Sequence, residues 1–327
     1  MPEEVIAYGI ASVFCPPEYR RKGYASHMMR LLHHILSLSD SLPPFPREWG
    51  APPSRSQGVG GDARFSVLYS DIGDFYRLCG PAPDVSGWHI RGPASTTWKL
   101  KPEDLNQIDV TDEGSRLLSK QECIVLWEND ASYIRDYISR LPVSPRTRFT
   151  FLPDKGVAAF LLHRVVAEAP LNPKHPLEHW GVTVKSEKHD SSPAYATWTL
   201  DMTLSEPPVL VLTRLRASRE SFSALLKALV RVARQIGADT IETWNLDAEL
   251  VDVAASLGGN TGVRDEHLPA VAWYGPEQQD DIEWLFNEKY VYFHLCPSVF
   301  KRLSTAFKLD SRGVDLFPIS RMRSMRT

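Results

Sequence analysis

Hydrophobic spacing changes several times along the chain, and each change predicts an element. Residues 5–14 (VIAYGIASVF) are mostly apolar, with β-branched and aromatic side chains, and the run stops at Cys15-Pro16-Pro17; this predicts a strand. Over residues 25–38 the apolar Met28, Met29, Leu31, Leu32, Ile35 and Leu36 recur at helical spacing, which predicts a helix. Residues 65–69 (FSVLY) read as a short buried strand and residues 72–79 (IGDFYRLC) as a short helix stopped by Gly80-Pro81. A further strand is expected within residues 90–100, then linking helices from Pro102 to about Leu141. Later runs predict strands at residues 156–166, 195–204, 209–215, 240–244 and 270–274, with a short helix at 248–257. Ser218 caps a predicted helix whose apolar face is Phe222, Leu225, Leu226, Leu229, Val230, Ala233 and Ile236.

Both halves therefore follow one order: strand, turn, long amphipathic helix, strand, short helix, strand. The second half reads as a structural repeat of the first. Their turns differ, since Arg214–Ser221 (RLRASRES) has no glycine where the first turn has one. Residues 39–63, rich in Pro, Gly and Ser and without an apolar period, read as a surface insertion or disordered loop.

The first turn carries the chemistry. A helix amino terminus leaves N–H groups unpaired and bears partial positive charge, so it suits a phosphate wherever the backbone can come close. Gly23 allows that approach and tolerates positive φ, Ala25 is small, and Arg20, Arg21 and Lys22 add charge for a multiply anionic ligand. The competing reading is a solvated basic turn with an ordinary loop glycine. Neither a Walker lysine-hydroxyl pair nor GxGxxG is present, so a nucleoside triphosphate or dinucleotide site is not supported.

Composition narrows the partners. With 37 basic and 40 acidic side chains, net charge −3, nothing drives the chain as a whole toward nucleic acid or an anionic membrane. No apolar run approaches the roughly 18 residues that span a bilayer, and MPEEVIAYG lacks the order of a secretory signal. Cys15, Cys79, Cys123 and Cys296 form no CxxC pair, so neither a metal site nor a disulfide framework is suggested, and a reducing cytoplasm is the expected location. A length of 327 residues suits two domains, each with its own core.

The run VFCPPEYRRKGYA resembles the signature of the GCN5-related N-acetyltransferases (GNAT), R/Q-x-x-G-x-G/A, with the match falling on Arg20, Gly23 and Ala25. FSVLYSDIGDFYRLCG resembles that family's next strand and helix, where an FY…G element sets a tyrosine beside the acetyl-CoA thiol; here it falls on Phe75-Tyr76 and Gly80. YGIASVFCPPEYRRKGYASHMM, LYSDIG and the large second half resemble the fungal LYC1-like lysine acetyltransferases. That resemblance implies an α/β (α+β) fold: a GNAT-like mixed sheet with flanking helices, truncated at its start and followed by a second GNAT-like domain. The implied segments are 1–101, a helical linker at 102–141, and 142–327. It also implies acetyl-CoA as cofactor and the ε-amine of free L-lysine as acceptor.

By the same resemblance, the backbone at Val13, Phe14 and Cys15 pairs with the pantetheine amides, and Arg20, Arg21, Lys22, Gly23, Tyr24 and Ala25 hold the pyrophosphate. Tyr76 protonates or hydrogen-bonds the departing thiolate, or is a core aromatic. An amine with a pKa of ~10.4 must lose a proton before it attacks. Asp71 is the candidate base and equally a helix N-cap, with Glu4 a weaker candidate. Cys15 and Cys79 read as small buried hydrophobes rather than acetyl carriers, His27, His33 and His34 as polar-face residues, and Trp198, Trp244, Trp273 and Tyr274 as core. The chain starts at a strand that the family precedes with others, so truncation would leave residues 5–14 as an exposed edge for a second copy to cover. A non-catalytic CoA-binding or interaction protein, or a different amine acceptor such as a polyamine or protein amino terminus, are the alternatives.

Overall fold

The computed structural model describes residues 2–11, 13–54, 60–100, 114–154, 178–185, 194–201, 207–289 and 320–326. Strand β1 (Glu3–Gly9) leads through a 3₁₀ turn at Pro17–Tyr19 into helix α1 (Tyr24–Leu36), and the chain returns as β2 (Phe65–Ser70), parallel to β1. A parallel pair needs such a crossover, because a tight turn only reverses the chain. A 3₁₀ helix at Gly73–Leu78 precedes β3 (His89–Ile90) and β4 (Ala94–Lys99). Next come β5 (Ser115–Leu118), the long α2 (Lys120–Arg140), β6 (Thr147–Phe151), β7 (Gly181–Val184) and β8 (Ala194–Asp201). The motif then recurs as β9 (Val209–Arg216), α3 (Arg219–Gln235) and the parallel β10 (Thr240–Trp244). The remaining elements are α4 (Val251–Ser256), β11 (Asn260–Val263), β12 (Leu268–Trp273), β13 (Ile282–Trp284) and β14 (Ser320–Arg326).

Among the described residues these strands build two seven-stranded mixed sheets, ordered β13-β6-β14-β1-β2-β12-β3 and β11-β4-β10-β9-β8-β7-β5. The repeat is visible in them as β1-β2-β12-β3 against β9-β10-β4-β11. In each, the strand between the second parallel strand and the short edge strand comes from the other half of the chain. β4 leaves its neighbours to pair with β10 and β11, while β12 crosses back to pair with β2 and β3. The crossing segments hold each other, Arg91 N–H donating to Pro269 O and Arg264 N–H to Pro93 O. Neither sheet is therefore confined to residues 1–101 or 142–327. The stretch expected as linking helices supplies β5 and α2, and the strand expected at 156–166 lies outside the described residues.

Alternation along the first sheet separates two cores. Ala7, Phe65, Val67 and Val271 face an aromatic layer with Phe149, Phe151 and Trp284, while Tyr8, Leu68, Ala270 and Ala272 face Met29, Leu32 and Leu36 of α1. In the second sheet α3 lays Phe222, Leu225, Leu226, Leu229, Val230 and Ala233 on the strands, as its spacing predicts. Its start is fixed by a capping box between Ser218 and Ser221.

Two expectations are corrected, and of the two readings of residues 39–63 the described part fits the surface insertion. β1 is not an exposed edge: β14 pairs antiparallel along its whole length, from Glu3↔Arg326 to Gly9↔Ser320, satisfying its outer ladder within one chain. The described part of residues 39–63 is packed on α1, with Phe45 and Trp49 edge-on to His34 and Ala63 N–H bonded to Leu36 O. His33 is buried in the core rather than on a polar face, because helical spacing aligns it with Met29, Leu32 and Leu36.

Candidate functional site

Beyond Gly9 the parallel pair parts. The ladder between β1 and β2 covers only Ala7–Gly9 against Phe65–Val67, with a last bond from Ile10 N–H to Val67 O, whereas β2 runs on to Ser70 against β12. Val13, Phe14 and Cys15 thus lie past the end of β1 instead of inside it, and among the described residues no strand pairs with them. Pro16 and Pro17 lack the N–H donors that would prolong a ladder here.

The chain then turns into α1. Gly23 is its N-cap with φ +82°, so it offers no capping side chain, and the first turn of the helix holds no acidic residue. A Cβ at Gly23 would meet nothing nearer than Ser26 Oγ at 4.0 Å, so glycine is required by the left-handed backbone and not by crowding. Arg21 also has positive φ, at 60°. Arg20, Arg21, Lys22 and Tyr24 are exposed around the uncapped N–H groups of the first turn, and Ala25 is half-buried. Arg20 Nε donates to Cys15 O at 3.0 Å, which ties the turn to the segment after β1. A helix terminus with free donors, no acid and three cations beside it fits a pyrophosphate.

Asp71 and Tyr76 sit past the other strand of the splayed pair. Asp71 does not cap the 3₁₀ helix; Ser70 serves that turn, accepting from Ile72 N–H and donating to Gly73 O. The Asp71 carboxylate instead takes the main-chain N–H of His267 at 2.8 Å and the His267 ring Nδ1 at 2.5 Å. An acceptor-only carboxylate at Nδ1 means that Nδ1 carries a hydrogen, which fixes the ring's orientation. His267, 196 residues from Asp71, has no signal in the local sequence.

Tyr76 is buried, with its ring edge-on to Phe75 and Trp88. Burial first, then the Asp71 carboxylate and Cys79, push its pKa up to about 12. The phenol is therefore a protonated donor at neutral pH, within electrostatic reach of Asp71. Cys79 is no nucleophile: it is buried, donates to Phe75 O, and burial raises its thiol to about 11. Glu4 lies at the far end of β1, about 17 Å of strand from Gly9 by the rise per residue, and pairs with Arg135 at 3.7 Å. It is not part of this constellation.

The second parallel pair parts in the same way, its ladder ending at Thr243↔Leu212 while β9 continues to Arg216. Here, however, the chain itself occupies the opening. Glu288 accepts the N–H of Leu215 at 3.0 Å and binds the guanidinium groups of Arg214 and Arg216, which also share Asp130 of α2. Burial opposes the charge on Glu288, but Arg216, Arg214 and the Leu215 amide outweigh it and hold its pKa below the usual value. Among the described residues, only the first pair combines a splay that no side chain bridges with a glycine-opened helix.

Comparison with known proteins gives a family. The family model described as the LYC1 GNAT-like C-terminal domain matches residues 97–293, more than half of the chain. A solved structure of a GCN5-related N-acetyltransferase from Kribbella flavida is similar at 14% identity and a TM-score of 0.40, over 82% of this chain and 52% of that one. This chain thus spans about half the length of that protein. No curated protein matches. Among the described residues no helix is long and apolar enough to cross a membrane.

Proposed function

Because the chain belongs to the LYC1-like group of the GNAT superfamily, we propose that it transfers an acetyl group from acetyl-CoA to the ε-amine of free L-lysine. The observation that carries this reading is the parting of β1 and β2 between an uncapped, glycine-opened helix on one side and the Asp71–His267 pair with Tyr76 on the other. When bound, acetyl-CoA supplies the thioester carbonyl that a neutral amine attacks. The first turn of α1, with Arg20, Arg21, Lys22, Gly23, Tyr24 and Ala25, holds its pyrophosphate. The backbone at Val13, Phe14 and Cys15 is available to the pantetheine amides, which would extend a ladder that β2 has left.

The proton traffic falls to three side chains. Asp71 orients the His267 ring, and Nε2 takes a proton from the lysine ammonium, giving the free amine. Tyr76 holds a proton ready for the departing sulfur and is restored by the proton that the new amide nitrogen sheds. The net yield is N-acetyl-lysine, free thiol and one proton in solution. Cytoplasmic location and action as a single chain belong to this reading as well.

Calorimetry of acetyl-CoA binding followed by continuous thiol detection with L-lysine tests it. Binding at one site per chain, with lysine-dependent thiol release, supports the reading. Binding without turnover of any amine would leave a CoA-binding protein, and no binding would remove the first turn from the function.

A further inference from the structure

Arg264 belongs to the segment by which the chain crosses from β11 to β12. Its guanidinium carbon stands 3.7 Å from the centre of the Trp244 ring, and Nη1 donates to His267 O at 3.1 Å. The other two nitrogens, Nε and Nη2, are buried and have no partner among the described residues. The charge of the neighbouring Glu242 acts on Arg264 without a hydrogen bond to Nε or Nη2, and its carboxylate accepts the Trp244 indole N–H at 2.8 Å. Burial accordingly pulls the Arg264 pKa down to about 10. Lys289, almost wholly buried and bound to Asp201, brings a second cation within 5.3 Å of the same ring.

Two unmet charged donors in the interior are costly in a protein that gains nothing from them. Nε–H and Nη2–H lie on one edge of the guanidinium and point the same way, which is the fork that grips both oxygens of a carboxylate. The edge also lies near the reacting groups. Arg264 is bonded to His267 O, and the N–H of that same residue is bonded to Asp71, so guanidinium and carboxylate are at most about 10 Å apart by backbone bond lengths. An extended lysine separates its carboxylate and ε-nitrogen by about 7 Å on the same bond-length reckoning.

We propose that the Nε–Nη2 edge of Arg264, braced on Trp244, binds the carboxylate of the acceptor and makes Arg264 the residue that selects amino acids over polyamines. This rests on the acetyl-transfer reading above. Trp244 is the platform and Lys289 adds positive potential. The acceptor lies with its carboxylate against Arg264 and its amine toward His267.

The test compares L-lysine with pentane-1,5-diamine, its decarboxylated counterpart, in wild type, Arg264→Gln and Arg264→Lys. Wild type is expected to favour lysine in kcat/KM by about 100-fold or more, as a site built for a polar group does. Arg264→Gln should erase most of that ratio, chiefly through the KM for lysine, and Arg264→Lys should restore part of it. Equal use of both amines by wild type, or an equal fall for both amines in Arg264→Gln, overturns the assignment. Calorimetric titration of lysine into the CoA-bound protein separates this from the acetyl-transfer reading. If no amine is acetylated, that reading fails, but lysine binding that Arg264→Gln abolishes still supports the carboxylate site. Absence of lysine binding to folded wild type sinks it. If Arg264→Gln does not fold, the lysine-to-diamine comparison in wild type and Arg264→Lys decides.

Discussion

Lowering the pH should loosen the element that carries Tyr76, through His33. The His33 ring stacks on Trp88 at 4.1 Å, and Nε2 is 2.8 Å from Cys79 O at the end of the 3₁₀ helix. A carbonyl only accepts, so Nε2 carries the hydrogen and Nδ1 accepts from the Tyr274 hydroxyl at 3.1 Å. Tyr274 in turn accepts from Ser66 at 2.7 Å, and Ser66 from the Trp88 indole at 3.0 Å. Each donor in this buried chain is used once, and it has no room for a second proton on the imidazole. Burial chiefly, against the bond to Cys79, lowers the His33 pKa from 6.5 to about 3.

Below pH 6.5 the unfolded chain takes up a proton there that the native protein does not, so stability falls as pH falls, and continues to fall until about pH 3. Integrating that difference from pH 7 to 5 gives a loss of about 2 kcal/mol from this residue alone. Urea denaturation followed by tryptophan fluorescence at pH 7, 6 and 5, on wild type and His33→Gln, measures it. Glutamine can still donate to Cys79 O but does not titrate. The variant should be less stable at pH 7, and the gap should narrow by about 2 kcal/mol at pH 5. His89, whose pKa is also lowered by burial, is common to both proteins and cancels. A gap that stays constant from pH 7 to 5 would refute the buried neutral imidazole.

Other substitutions probe other parts of the argument. Gly23→Glu adds about 1 kcal/mol of left-handed backbone strain and an anion at the helix terminus, and should abolish acetyl-CoA binding in calorimetry; unchanged affinity would exclude the turn. Tyr76→Phe should lower kcat about 100-fold with little change in the KM for acetyl-CoA, and because the phenol pKa is near 12, no alkaline limb below about pH 11 should be traceable to it. Glu288→Ala leaves Arg214 and Arg216 without one of their two buried carboxylates and should cost about 3–5 kcal/mol in urea unfolding; a loss under 1 kcal/mol would contradict the network. A chain ended at residue 319 loses β14 and should self-associate in light scattering through the bared edge of β1.

What the sequence determined by itself is whatever nearest neighbours along the chain decide. The spacing of Phe222, Leu225, Leu229 and Ala233 made α3 inevitable, and Ser218 its start. Arg20, Gly23 and Ala25 marked the helix terminus, and the family resemblance rested on them and on Phe75-Tyr76. His33 was within reach too, one turn after Met29 on the buried stripe, but its polarity argued for the surface until Tyr274 and Cys79 showed how its nitrogens are satisfied. Tertiary structure alone decided the rest. Period-two and 3.6-residue patterns say which face of an element is buried but not which edge it pairs with, so the exchange of β4 and β12 and the cover of β1 by β14 left no local trace. The partners of Asp71, Arg214 and Trp244 are likewise brought close by that exchange and by the segment after β13, because hydrogen bonds and ion pairs are set by distance in space.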